Sequence, residues 1–178
     1  VPLLQERYEA RRSEITVVSG HFPLFAMDLL GDDFTAFTVL RDPIERNLSF
    51  LREQQAKSPT YRGVSLDEIY EDPAETLWIL KNHMVRMLAQ TAQEHAASTF
   101  APDDENLERA KVALVERIDL FGFQETFDDF CAMAAARYGW ELDFHVRANA
   151  TLPGTVSDDL TDRIRADYRN GVLRLSIP

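Results

Sequence analysis

Phe37-Thr38-Val39-Leu40 is an apolar run of strand formers, and Arg41-Asp42-Pro43-Ile44-Glu45 ends it at once. Proline cannot donate to a strand ladder but is well placed in the first turn of a helix. Asp42 reads as the N-cap, and Glu45, three residues on, fits the N3 position of a capping box. The chain is therefore committed to pass from strand to helix at Arg41. In α/β proteins, ligands sit outside the carboxyl ends of strands. A fixed cation at such an end, followed by helix-start amides, is a place for a phosphate.

The rest of the chain alternates in the same way. Strands are expected at 15–19, 34–40 and about 118–122. Helices are expected at 3–13, 22–30 (with Phe22, Phe25 and Leu29 inward), 43–56, 73–90, 104–117, 127–138 and 156–168. Ser65-Leu66-Asp67-Glu68 is a capping box opening a further short helix, and Thr126 is placed to cap 127–138. Residues 91–103 read as a loop. Residues 57–64 read as a polar loop, either the border of an acceptor site or a plain connector. Strands separated by helices predict a parallel sheet flanked by helices, α/β in class, with a helix-rich C-terminal half. The 178 residues are expected to form one domain.

Composition narrows the partners. A formal net charge of −11 argues against a nucleic-acid binder, which needs a basic face. It also disfavours a long polysulfated acceptor. No apolar run approaches the length of a membrane span. A lone Cys131, at an apolar helical position, cannot form an intrachain disulfide and reads as a small buried hydrophobe. The chain is read as cytoplasmic. No metal-ligand pattern is present, and no metal is expected.

The stretch Arg41-Asp42-Pro43-x-x-Arg46-x-x-Ser49-Phe50 resembles the 3′-phosphate motif of sulfotransferases that use 3′-phosphoadenosine-5′-phosphosulfate (PAPS). The resemblance implies that Arg41 and Ser49 hold the nucleotide's 3′-phosphate, with Arg46 part of the same binding pattern. Ser19-Gly20-His21, after the apolar run 15–18, resembles a segment of the carbohydrate branch related to the heparan sulfate 2-O-enzymes. There the histidine after glycine is the catalytic base, which implies that role for His21. Gly20 would give a sharp turn and room for a ligand. If strands 15–19 and 34–40 are parallel, His21 and Arg41 open onto one sheet edge. Weaker matches follow in the family's order: Asn82-x-x-x-Arg86-x-Leu88, Leu120 to Asp128, and Arg147-Ala148-Asn149-Ala150-Thr151.

The implied fold is the P-loop NTPase-like sheet of that family, and the implied cosubstrate is PAPS. The family's phosphate loop, P-K-x-G-x-[T/S], does not occur in these residues. The expectation is a chain lacking the N-terminal strand and loop, with little turnover of its own. The expected activity is sulfuryl transfer to a hydroxyl of a glycan, glycolipid or small-molecule acceptor. Two alternatives stand beside it: a non-catalytic binding domain with a degenerate sulfotransferase fold, and a P-loop kinase-like phosphotransferase that would hold Mg²⁺ through a strand-end Asp, for which Asp42 is the one well-placed candidate.

Overall fold

The computed structural model describes residues 2–31, 34–73, 80–101, 103–141 and 156–169. Their elements run α1 (Pro2–Glu9), α2 (Phe25–Leu30), β1 (Ala36–Leu40), α3 (Pro43–Lys57), α4 (Leu66–Glu71), α5 (His83–Ala89), α6 (Ala92–Ala97), α7 (Asp104–Glu116), β2 (Ile118–Phe123), α8 (Phe127–Tyr138) and α9 (Asp158–Arg169). Single 3₁₀ turns lie at Arg12–Glu14, Pro59–Tyr61 and Gln124–Thr126. The architecture is mixed α/β and helix-rich, with β1 and β2 forming a small parallel sheet. Two compact units are formed, one from 1–36 and 83–119, the other from 37–82 and 120–178.

In the first unit, α2 buries Phe25, Ala26 and Leu30 and ends at Gly31, whose φ of +73° suits glycine. Leu24 N–H donates to the Met87 carbonyl at 2.7 Å, tying the start of α2 to α5. Thr91 and Glu94 cap α6 reciprocally, and the Glu94 carboxylate also takes Arg109 of α7 at 2.7 Å. Burial works to raise the Glu94 pKa. The Arg109 guanidinium and the Thr91 amide and hydroxyl outweigh it and hold the carboxyl below its usual value.

The second unit builds its main core from Leu48 and Leu51 of α3, Tyr61, Leu66, Ile69 and Tyr70 around α4, Leu80, and Leu160 and Ile164 of α9. Fully burying one such aliphatic side chain is worth about 1.5–3 kcal/mol. Tyr70 donates to Asp167 at 2.6 Å, and Arg163 bridges Asp67 and Glu71, so α9 is fastened to α4 by polar groups as well. A second cluster sets Phe130, Cys131 and Ala134 of α8 against Phe37 and Leu120 of the strands and Trp140. At Gly122 an added Cβ would lie 2.7 Å from the Cβ of Phe130, so only glycine lets α8 approach β2 this closely.

Several expectations change. Residues 15–19 are not a strand: Val17 is 50% exposed, and the described residues offer the segment no pairing partner. Strand propensity without a ladder does not make a strand. Phe22 and Leu29 are exposed, and the inward face of α2 is carried by Phe25, Ala26 and Leu30. The single helix expected over 73–90 is interrupted at Lys81-Asn82, where buried Asn82 takes φ +52° and α5 starts afresh. Residues 74–79 of that range lie outside the described residues, as does Arg147 to Thr151. The expected loop 91–103 contains α6, announced by the Thr91–Glu94 capping box. Thr126 does stand at the N-cap of α8, but its side chain makes no capping hydrogen bond. Helices α3, α4, α7, α8 and α9 and strands β1 and β2 fall where the periodicity puts them.

Candidate functional site

The break at Arg41 forms as its residues dictate. β1 stops at Leu40, and α3 starts at Pro43. Asp42 is the N-cap, with its Oδ1 accepting from both Ile44 N–H and Glu45 N–H at 2.9 Å. The capping box is not reciprocal, because the Asp42 N–H does not go to Glu45. It goes to Glu125 Oε1 at 2.9 Å, from the turn that follows β2. Two parallel strands therefore end in two strand-to-helix turns, joined by one carboxylate.

This changes the local anion chemistry. The first amides of α3 are already taken by the Asp42 carboxylate. An incoming anion at this junction is left to side chains. Arg41 is half-buried, and its guanidinium makes no hydrogen bond or ion pair with any described residue. Ser49 lies seven residues after the cap, about two turns along α3, and so returns to the side of the helix on which the cap sits. Its hydroxyl is half-buried and likewise has no hydrogen-bond partner among the described residues.

Arg46 is engaged differently: it donates to the side-chain oxygen of Asn47 at 3.3 Å, and Asn47 is fully buried and reaches the Leu80 carbonyl. Its guanidinium is thus tied to the packing of α3. Glu125 is held below the usual carboxylate range. The Asp42 amide contributes most, then its own backbone N–H; partial burial opposes them, and the Arg41 charge adds a smaller lowering.

His21 belongs to the first unit and lies in an exposed bend between Gly20 and Phe22. Because 15–19 is not a strand, His21 does not stand at a strand end. The room expected beside Gly20 is filled by the Phe22 ring, which would meet any added Cβ. Arg86 of α5 is buried, with its guanidinium 5.1 Å from the centre of the Phe100 ring, and burial lowers its pKa. Cys131 is buried, and burial, with Asp128 nearby, raises its thiol pKa, so it is poorly suited to be a nucleophile.

No family model, curated protein or solved structure matches the chain. The site is therefore read from its own geometry.

Among the described residues no group of three or more His, Cys, Asp or Glu could hold a metal ion, and no helix is long and apolar enough to cross a membrane. A depression of about 390 Å³ in the first unit is lined by Phe34 to Ala36 and Val115 to Asp119, at the starts of the strands rather than at their carboxyl ends. Glu125 is the residue that sequence reading missed. The signal for it was the second strand-to-helix turn, Leu120 to Asp128, which must end on the same side as the first when the strands are parallel.

Proposed function

We propose that the chain is a sulfotransferase domain of the P-loop NTPase-like class, using PAPS to sulfate a hydroxyl of a glycan, glycolipid or small molecule. One observation supports its phosphate anchor, while the cosubstrate and the reaction come from the resemblance of Arg41 to Phe50 to the PAPS motif. At the carboxyl end of β1, Arg41 offers its donors without a protein partner among the described residues, while the neighbouring carboxylates, Asp42 and Glu125, are engaged with amides. Arginine presents a planar fork suited to phosphate oxygens. Arg41 and Ser49 would hold the 3′-phosphate, and Arg46 would support the helix that carries Ser49.

The proposed reaction is direct. The acceptor oxygen attacks sulfur as the bond from sulfur to the 5′-phosphate oxygen breaks. The acceptor proton passes to a general base, and 3′-phosphoadenosine-5′-phosphate leaves. As in phosphoryl transfer, positioning and charge stabilisation would supply most of the acceleration. The kinase-like alternative has less support: one oxygen of Asp42, the strand-end carboxylate it would need for Mg²⁺, already accepts two helix amides.

The test is calorimetry of the native polypeptide with 3′-phosphoadenosine-5′-phosphate and with adenosine 5′-phosphate. The expected result is at least about tenfold tighter binding when the 3′-phosphate is present, the scale of a charge-assisted hydrogen bond. Equal affinity for the two nucleotides rejects the reading.

A further inference from the structure

We propose that Glu125 is a positioning residue of this phosphate anchor, acting on Arg41 through the Arg41–Asp42 peptide; the inference rests on the functional reading above. The Asp42 N–H belongs to that peptide, and its acceptor is a carboxylate 83 residues further along the chain, at 2.9 Å. A capping box would have used Glu45 for this bond, on the same helix. A bond to Glu125 instead makes the peptide answer to the turn after β2. Holding the peptide plane restricts rotation next to the Arg41 Cα, and so the direction in which the side chain leaves the strand.

The same carboxylate leaves the donors of Arg41 unconsumed. The Arg41 charge acts on Glu125, yet the two form no ion pair within 4.0 Å. A closed Arg41–Glu125 pair would have to open before a phosphate could bind. Placed on the backbone amide, Glu125 leaves the fork available.

Three proteins separate this role from a plain tether: the parent, Glu125→Gln and Glu125→Ala. Glutamine keeps an oxygen acceptor for the Asp42 amide, whereas alanine removes it. Binding of 3′-phosphoadenosine-5′-phosphate and of adenosine 5′-phosphate is measured for each, with melting temperature and hydrogen exchange at the Asp42 amide. In Glu125→Ala the preference for the 3′-phosphate should fall about tenfold, with adenosine 5′-phosphate affinity unchanged and the Asp42 amide exchanging faster. Glu125→Gln should restore both the preference and the protection.

If the parent prefers the 3′-phosphate and Glu125→Ala keeps that preference, the inference falls and the anchor stands. Loss of both nucleotides together with a lowered melting temperature makes Glu125 structural only, and also overturns it. Glu125→Gln behaving like Glu125→Ala rejects the hydrogen-bond route. A parent without any preference removes the anchor reading, and this role with it.

Discussion

The position of Arg41 at the end of β1 was legible because a strand break, a proline and a cap fix it, whereas Ser49 was named only through the resemblance. Removing either should weaken nucleotide binding. Charge-assisted hydrogen bonds contribute about 1.5–3 kcal/mol, so Arg41→Ala is expected to cost roughly tenfold to a hundredfold in affinity for 3′-phosphoadenosine-5′-phosphate by calorimetry, and Ser49→Ala somewhat less. Neither should alter affinity for adenosine 5′-phosphate. Glu125 was missed: the turn at Leu120 to Asp128 marked its neighbourhood, but its pairing with Asp42, 83 residues away, follows no local pattern. His21 is a separate case. Residues 15–19 form no strand before it, and it lies after Gly20 in an exposed bend. If it is the base, His21→Ala should lower turnover by roughly 10²–10⁴-fold. Because it is exposed, the melting temperature should stay within a degree or two of the parent's. Early melting with near-normal turnover would reject the role.

At the level of elements, the sequence was readable where a cap coincided with an apolar period. Asp42 before α3, Ser65 before α4 and Asp103 before α7 each accept a helix amide, and those helices begin where expected. The failures have local causes. Residues 91–103 looked like a loop because α6 buries none of its residues, so it has no apolar stripe to read, although its capping box was present. The break at Asn82 was hidden because an αL asparagine leaves the apolar spacing on either side intact. The Glu94–Arg109 contact between α6 and α7 gives a titration test. Because the folded Glu94 pKa is depressed, its stabilisation is present above the ordinary value of 4.5 and is lost as pH falls through the lower folded value. Thermal melts of the parent and Glu94→Gln should therefore differ most near neutrality and converge on acidification. A constant gap down to strongly acid pH would mean that the charge plays no part.

For the whole molecule, charge says more than shape. A net charge of −11 leaves local basic chemistry at Arg41 but gives polyanions little reason to approach. A neutral or weakly charged hydroxyl acceptor is expected to be preferred in a panel assay with labelled PAPS. Strong preference for heparan or chondroitin chains would show that a local groove overrides the net charge. The α/β class was readable because strands and helices alternate. The size of the sheet was not, since β-forming residues at 15–19 do not disclose whether a neighbour exists to pair with them.

The second unit is also discontinuous, formed from 37–82 and 120–178. Its two strand-end turns meet across a chain separation of 83 residues. Closing so long a loop costs entropy before any contact compensates it, so such pairings form late on the folding path. Glu125→Ala should therefore speed unfolding while leaving the refolding rate nearly unchanged, which stopped-flow chevrons would read directly. Slower refolding instead would place the junction in the folding nucleus. A junction completed last is among the first to open, so any ligand that binds there should prolong the lifetime of the folded chain more than it hastens its formation.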